Sequence, residues 1–125
     1  MEKRQQKYHR ERLSQALREE IATLLEGELA DPRIGLVNVS EVHLAPDARS
    51  AQVLVAVEGG DKDAGRTMEG LSAAVGFIRR ELAERLHLRR PPDLVFQLDR
   101  SQEYRSRIDQ LLKRTRRRKS SGSES

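Results

Sequence analysis

Apolar residues recur along this chain at two spacings, and the change between them predicts an alternation of helices and strands. Leucine and isoleucine fall three or four residues apart over residues 8–29, the spacing of a helix with one buried face. An Asp-Pro pair follows and ends this helix, because proline disfavours helical geometry in the residue before it. The same spacing returns after the loop at 58–65, continues to about His87, and appears again over 101–114. We therefore predict helical structure in all three places.

Between these segments, apolar residues alternate with polar ones, the spacing of strands with one buried face. Three stretches show this pattern, at 33–44, 51–57 and 94–99. In the first stretch the alternation slips by one residue near Ser40, which predicts a β-bulge. A turn at 45–50 contains proline and aspartate and joins the first two stretches. We therefore predict that these two strands form an antiparallel hairpin.

Gly76 lies inside the most regular apolar stripe of the chain. The stripe is formed by Leu71, Val75, Ile78, Leu82 and Leu86. Glycine in a helix interior costs about 1 kcal/mol relative to alanine. Two explanations fit. Gly76 permits a bend that opens a new helix N-terminus, which favours phosphate, or it lets a neighbouring backbone approach closely.

A bend at Gly76 gives the element order α-β-β-α-α-β, followed by a C-terminal helix. Three strands with helices packed on one face of the sheet define an α+β sandwich. The chain has 125 residues, the size of one domain, which we place at 1–112. Residues 113–125 contain no apolar side chain, so we predict that they form a disordered basic tail.

The charged residues are segregated along the chain. Residues 79–119 hold 14 of the 24 Lys and Arg and 6 of the 20 Asp and Glu, a local balance of +8. The rest of the chain holds 10 basic and 14 acidic residues, a balance of −4. A solvated charged surface explains a high charge fraction but not this segregation, which favours a polyanionic partner. With no cysteine, no signal-peptide pattern and no membrane-length apolar run, we expect a soluble cytoplasmic protein.

Residue patterns for catalysis or for a metal or cofactor are not found in this sequence. His9, His43 and His87 are far apart, and none has a second ligand at metal-binding spacing. There is no nucleophile elbow and no glycine-rich phosphate loop. The aspartates at the turns and element ends are explained by capping. We therefore expect no enzymatic activity, no metal and no cofactor.

Among nucleic-acid-binding folds, the element order favours one class. A base-stacking sheet needs exposed aromatic residues, but the strands contain only Phe96, which shares the core face with Leu94 and Leu98. The strong strands argue against a helix-turn-helix domain. The order α-β-β-α-α-β matches a KH domain of the second type, which normally holds nucleic-acid backbone with a GXXG loop. No two glycines here are three residues apart, so that loop is missing.

A KH-like order with Ala74-Val75-Gly76 in place of GXXG resembles the ribosome-binding factor A family, in which an Ala-x-Gly helix kink replaces the loop. Other strings support the resemblance, namely "DPRI" at 31–34, "VNVSEVHLAPD" at 37–47 and "LRRPPDLVFQLDRS" at 88–101. The resemblance covers roughly residues 3–113, and the order and spacing of the strings make it specific. Asn38 and Arg105 stand where threonine and glycine are common in the family.

The resemblance implies a monomeric RNA-binding factor that binds the immature small (30S) ribosomal subunit. It further implies contact with the 5′ region of 16S rRNA, a role in rRNA processing and importance during growth in the cold. Two other functions stay open at this point, a stable small-subunit ribosomal protein and a general RNA chaperone. A ribonuclease is disfavoured, because histidine pairs and carboxylate clusters are missing.

The candidate RNA-binding residues fall in three groups. The basic tail places six charges in seven residues, and arginine suits phosphate because its planar fork donates two hydrogen bonds at once. The arginine pair after Gly76 lies mostly off the apolar face, so we expect it to reach solvent, with one member pairing internally with a glutamate. The full set is Ala74, Val75, Gly76, Arg79, Arg80, Arg89, Arg90, Lys113, Arg114, Arg116, Arg117, Arg118 and Lys119.

Overall fold

Three helices and three strands follow one another in the computed structural model of the chain. The structure describes residues 2–27, 29 and 31–123, with side chains described for 8–27, 29 and 31–116. The elements are α1 (Glu2–Gly27), β1 (Val37–Leu44), β2 (Ser50–Val57), α2 (Asp61–Arg85), β3 (Asp93–Leu98) and α3 (Ser101–Ser123). The predicted helices and strands all occur, with ends that differ by a few residues except in α1 and α3.

The strands form one sheet in the order β1-β2-β3. β1 and β2 pair in antiparallel fashion, which confirms the predicted hairpin. Their register shifts between Val39 and Glu41, which confirms the bulge at this position. β2 and β3 are parallel, so α2 is the crossover that connects them. The α+β class with a three-stranded sheet is confirmed.

α1 and α2 cover one face of the sheet and enclose the core. The apolar stripe of α2 points inward, as predicted, and its members Leu71, Ile78 and Leu82 are fully buried. They pack with other fully buried residues of α1 and β2, namely Leu17, Ile21, Leu24, Val53 and Val55. Each such side chain contributes about 1.5–3 kcal/mol of hydrophobic free energy. Phe96 packs against this core, as its position in the strand predicted.

The division of the central helix at Gly76 is wrong. α2 is one helix from Asp61 to Arg85, so no new helix N-terminus opens near Phe77. A helix whose residues on both sides of the glycine are anchored in the core is not interrupted by a cost of about 1 kcal/mol. The close-approach explanation fails as well, because a Cβ atom built on Gly76 would have no heavy atom within 4 Å.

Close packing occurs instead at Gly70, earlier in the same helix. A Cβ atom there would lie 2.6 Å from Cγ1 of Ile34, a distance that real side chains do not tolerate. Nearby on α2, the buried Thr67 hydroxyl accepts a hydrogen bond from the Gly35 N–H at 3.2 Å and donates one to the Arg33 carbonyl at 3.4 Å. α2 therefore holds the segment between α1 and β1 with its N-terminal half.

The "DPRI" segment is stabilised by its own ion pair. Asp31 and Arg33 make a salt bridge of 2.7 Å, and the Asp31 carboxylate also accepts the Arg33 backbone N–H at 2.9 Å. Hydrogen bonds from Arg33 lower the pKa of Asp31 from its ordinary value of 3.8 to about 2. This string, which carries much of the family resemblance, therefore has a structural role as the connector between α1 and β1.

The end predicted for the C-terminal helix is also wrong. α3 continues past Leu112 to Ser123, over residues that were predicted to be disordered. Arginine and lysine are good helix formers, and neither proline nor glycine occurs in this stretch before Gly122. All described side chains of α3 are exposed, and the helix makes few contacts with other elements.

Candidate nucleic-acid interface

Arg79 holds the loop that precedes β3. Its guanidinium donates hydrogen bonds to the carbonyl oxygens of Pro92, at 3.1 Å, and Pro91, at 2.9 Å. It also lies 3.3 Å from the Asp93 carboxylate. Internal pairing was expected for one of the two arginines, but with a glutamate; the partners are two carbonyls and an aspartate. Arg79 is therefore a positioning residue, since its Nε and Nη2 groups are already bonded within the protein.

The end of α2 turns the chain toward this loop. His87 adopts a left-handed conformation with φ of 54°. The Leu88 N–H bonds back to the Ala83 carbonyl at 2.9 Å, the pattern of a Schellman motif. The motif satisfies helix carbonyls that would otherwise lack partners. It directs Arg89 and Arg90 out of the helix and into the loop.

A second arginine-bearing segment, the β1–β2 turn, lies beside this loop. The turn is closed by a hydrogen bond from the Ala48 N–H to the Ala45 carbonyl at 2.9 Å, with Ala48 at φ of 59°. The Asp47 carboxylate accepts the Arg49 N–H at 3.0 Å. The Asp93 N–H then bonds to the Arg49 carbonyl at 2.9 Å, which continues the parallel pairing of β2 and β3. Arg49 is thereby brought next to the loop that Arg79 holds.

The turn and the loop enclose a cleft of about 690 Å³. Its charged lining consists of Arg49, Arg79, Arg89, Arg90, Asp47 and Asp93, and we call it the arginine cleft. Four guanidinium groups face two carboxylates, an excess of two positive charges. Within the part of the chain whose side chains are described, Arg49, Arg89 and Arg90 make no ion pair and are exposed. Three arginines with free donors suit a phosphate-bearing ligand.

The structure brings together only part of the predicted RNA-binding set. Arg79, Arg89 and Arg90 line the arginine cleft, whereas Arg80 does not and is exposed on α2. Arg49 was missed, because its proximity depends on the parallel pairing of β2 with β3, for which the sequence has no local signal. The order of the elements alone does not reveal which strands are neighbours.

The remaining predicted residues lie elsewhere. Ala74 and Val75 are half-buried and pack against the core, while Gly76 is exposed. Lys113, Arg114 and Arg116 are exposed on α3. The side chains of Arg117, Arg118 and Lys119 lie outside the described residues, although their backbone is helical. A role for these residues in RNA binding stays a prediction.

Carboxylates at the element ends cap them, as the sequence predicted. Asp63 accepts the Gly60 N–H at 3.1 Å at the start of α2. Asp99 accepts the Ser101 N–H at 2.9 Å at the start of α3. Hydrogen bonds from Ser101, followed by one from Ser40, lower the pKa of Asp99. These acidic side chains are used in structural contacts rather than in a catalytic pair.

The described residues contain neither a metal-binding cluster nor a membrane-spanning helix. The side chains at 8–27, 29 and 31–116 include no group of three or more His, Asp and Glu arranged to hold a metal ion. Over the same described stretch, the helices lack a segment that is long and apolar enough to cross a bilayer.

The α+β fold carries a cleft lined by four arginines, three of which make no ion pair among the described side chains, and such a cleft suits a polyanionic ligand. The sequence model of the family described as "Ribosome-binding factor A" matches residues 9–112. The chain therefore belongs to the ribosome-binding factor A family. It is 57% identical over 121 residues to ribosome-binding factor A of Koribacter versatilis, covering 97% of this chain and 98% of that protein. It is 43% identical to the Thermomicrobium roseum protein of the same name, with coverages of 85% and 82%.

Solved structures show the same fold. The crystal structure of ribosome-binding factor A from Thermus thermophilus superposes with a TM-score of 0.64 at 28% identity, over 71% of this chain and 93% of that chain. A solution structure of a Thermotoga maritima protein, described as a putative ribosome binding factor A, gives 0.64 at 30% identity, over 72% and 86%. A further Thermus thermophilus model, fitted into a cryo-electron microscopy map of a 30S complex, gives 0.60 at 30% identity, over 71% and 93%.

Proposed function

We propose that this protein is a cytoplasmic, monomeric assembly factor that binds the immature small ribosomal subunit and assists maturation of 16S rRNA. Family membership supports the ribosome as its partner. The Thermus thermophilus relative fitted into a map of a 30S complex supports the small subunit in particular. The observation that carries an RNA contact is the arginine cleft, with three guanidinium groups that no described protein group neutralises. Contact with the 5′ region of 16S rRNA and a function in the cold belong to the same proposal.

The cleft binds RNA through the phosphodiester backbone. Arg49 enters from the β1–β2 turn, while Arg89 and Arg90 enter from the loop, so a phosphate between them meets donors from two sides. Arg79 fixes the loop through the Pro91 and Pro92 carbonyls, which reduces the entropy lost on binding. Binding of this kind needs neither a catalytic group nor a cofactor.

α3 supplies a second basic surface. Lys113, Arg114 and Arg116 are exposed on a helix that makes few contacts with the rest of the fold. The basic run from 113 to 119 therefore reaches RNA without disturbing the core. Its contacts to phosphate add to affinity and to the salt dependence of binding, and they carry little sequence information.

Sedimentation tests the proposed function directly. We expect the protein to co-sediment with small subunits from cells in which assembly is incomplete and to be absent from mature 70S ribosomes. A stable ribosomal protein would stay with mature subunits in proportion to their RNA. The proposal is wrong if the protein is found equally in all ribosomal fractions or in none.

Salt dependence of RNA binding tests the two basic surfaces. Each phosphate neutralised on a single strand contributes about −0.7 to the slope of log affinity against log salt concentration. We expect Arg49→Gln with Arg89→Gln and Arg90→Gln to flatten this slope by about 2, because three contacts are lost. Truncation after Leu112 removes six basic residues and should flatten the slope by about two or more. Fluorescence anisotropy with labelled oligouridine measures both slopes.

A matched control is Lys62→Gln with Arg66→Gln, which removes two exposed charges of α2 that do not line the cleft. All variants should keep the melting temperature of the parent, because the removed groups bury little apolar area. Equal slopes for the parent and a variant would show that the mutated surface does not engage RNA.

A further inference from the structure

α3 presents an apolar stripe to solvent. Its members lie three or four residues apart on one face of the helix, and between 38% and 66% of each is exposed, namely Tyr104, Ile108, Leu111 and Leu112. The helical repeat places Arg105 and Arg116 along one side of the stripe and Arg107 and Arg114 along the other. A contiguous exposed apolar surface on a helix that makes few contacts marks an interaction surface.

The outer face of the sheet is a second surface without a partner in the described part of the chain. α1 and α2 cover the inner face, to which β2 and β3 direct Val53, Val55 and Leu94. Side chains alternate along a strand, so the positions between these point outward, namely Ser50, Gln52, Leu54, Ala56, Val95 and Gln97. None of the six is charged, in a chain in which 35% of the residues are charged. An uncharged strip of this kind fits a face that another element covers.

The connection between β3 and α3 directs the helix toward this outer face. Only Asp99 and Arg100 separate the two elements, and Asp99 continues the outward-pointing positions of β3. The Asp99 carboxylate accepts a hydrogen bond from Ser40 of β1, so the start of α3 lies against the end of the sheet. Arg100 is 3.8 Å from Asp61, and both side chains are exposed, so this ion pair contributes little to the orientation of α3.

The lengths of the two elements match. α3 from Ser101 to Leu112 spans about 16 Å at 1.5 Å per residue. β3 from Asp93 to Leu98 spans about 16 Å at 3.3 Å per residue. If α3 turns back over the sheet, Ile108 and Val95 both lie about 10 Å from the connection. We call this arrangement, with the apolar stripe on the outer face of the sheet, the closed position.

In the closed position, the basic run of α3 lies next to the arginine cleft. The cleft is at the Asp93 end of β3, and α3 reaches this end at Leu112. Lys113 and Arg114 then approach the exposed arginines of the cleft. Like charges within a Debye length of about 8–10 Å repel one another, which disfavours closure of the protein alone. The phosphates of a polyanion between the two basic surfaces remove this repulsion.

We propose that α3 closes over the outer face of the sheet when a polyanionic strand enters the arginine cleft, so that the strand is held between the cleft and the basic run. The inference rests on the proposed function, because it takes the strand to be RNA. The helix that covers the face is α3 of the same molecule, since a two-residue connection gives it a high effective concentration there. RNA favours closure, and by linkage closure raises the affinity for RNA by the same factor.

Cross-linking between introduced cysteines tests the closed position, because the chain contains no cysteine of its own. Val95→Cys with Ile108→Cys places one thiol on the outer face and one on the apolar stripe. Val95→Cys with Gln110→Cys is the matched control, because Gln110 lies on the other side of α3. We expect oligouridine to raise the rate of bridging by a short bismaleimide about tenfold in the first pair and to leave the control unchanged.

Intact-mass spectrometry separates a bridged monomer from a doubly modified monomer and from a bridged dimer. A rate of bridging that is equal with and without oligouridine would overturn the coupling of closure to RNA. A bridged dimer in place of the bridged monomer would show that a second copy covers the outer face, which would overturn closure within one molecule.

The apolar stripe is tested by Leu111→Gln with Leu112→Gln. Glutamine keeps the helix propensity of α3 and the charge of the protein, so we expect the melting temperature to be unchanged while the affinity for oligouridine falls about tenfold. Leu36→Gln is the control, because Leu36 is 72% exposed and lies outside both surfaces. Equal affinities of the parent and the stripe variant would overturn the contribution of closure to binding.

Two results distinguish this inference from the proposed function. If oligouridine binds the parent and Arg49→Gln with Arg89→Gln weakens binding, but bridging does not respond to oligouridine, closure is wrong and RNA binding in the cleft stands. If the unmodified protein binds neither oligouridine nor small ribosomal subunits, the proposed function fails, and this inference fails with it.

Discussion

Gly70 and Gly76 lie on either side of the middle of α2, and their surroundings are opposite. Gly70 is buried, and a Cβ atom on it would lie 2.6 Å from the Ile34 side chain. Gly76 is exposed, and a Cβ atom on it would contact nothing within 4 Å. The first half of the helix is packed against the segment before β1. The second half carries Arg79 and Arg80 toward the surface.

This contrast shows that a glycine within an apolar stripe is not by itself a sign of a helix end or of close packing. Gly76 stood out in the sequence because it interrupts the more regular part of the stripe. Gly70 did not, although it is the glycine that the fold requires. The space around Gly70 is limited by Ile34, a residue distant in the sequence. The helical spacing of α2 therefore gives no indication that Ile34 lies there.

The largest expected effect comes from placing the same side chain at both glycines. We expect Gly70→Leu to lower the free energy of unfolding by about 3 kcal/mol, because overpacking moves Ile34 and the backbone near it. Gly76→Leu should leave it unchanged or raise it by about 0.5 kcal/mol, because leucine is the better helix former and has open space. Urea denaturation of both variants measures the difference. Equal destabilisation by the two substitutions would contradict this account of the helix.

A smaller difference is expected between the neighbouring arginines. Arg79→Ala removes two hydrogen bonds to proline carbonyls and should lower the free energy of unfolding by about 1 kcal/mol, since the side chain is partly exposed. Arg80→Ala should change it by less than about 0.5 kcal/mol, because Arg80 is exposed and has no ion pair among the described side chains. Thermal unfolding monitored by circular dichroism checks both.

Substitutions of Arg79 also distinguish a residue that positions the loop from one that contacts the RNA directly. Arg79→Lys keeps the charge but cannot span both carbonyls, so it should weaken RNA binding through the loop while the salt slope changes little. A slope that flattens by about 0.7 in Arg79→Gln, which removes the charge, would identify Arg79 as a direct phosphate ligand instead.

The smallest effect concerns how the stability of the protein depends on pH through the "DPRI" segment, which packs against α2 at Gly70. Folding lowers the pKa of Asp31 from 3.8 to about 2, so the Asp31–Arg33 pair stabilises the folded state above pH 3.8. This contribution is lost as the pH falls from 3.8 toward 2, because the carboxylate is then protonated in the folded protein as well. We expect Asp31→Asn to be less stable than the parent at neutral pH and to lose less stability on acidification. Parallel pH profiles for the two proteins would refute this.

Much of the secondary structure could be predicted because its causes are local. The bulge near Ser40 follows from a slip in the alternation of β1, and the inward face of α2 follows from the spacing of Leu71, Ile78 and Leu82. The capping roles of Asp63 and Asp99 follow from their positions just before or inside a helix start. Each of these features depends on residues close together in the chain.

The two wrong predictions have different causes, one in the packing of α2 and one in the local helix propensity of α3. A cost of about 1 kcal/mol at Gly76 looked sufficient to divide the helix, but the buried residues on both sides hold α2 together. The polar composition after Leu112 predicted disorder, yet it consists mostly of good helix formers, and α3 continues through it.

By itself, the sequence determined the α+β class, the strands, the inward-facing stripes, the segregation of basic charge and the family to which the chain belongs. Only the tertiary structure decided which arginines meet. Arg49 lies beside Arg89 and Arg90 because β2 and β3 pair in parallel, and Arg79 differs from them because its Nε and Nη2 groups bond to the carbonyls of the proline loop. The physical reason is that side chains distant in sequence share a site only through strand pairing and packing, which depend on the whole fold rather than on any local pattern.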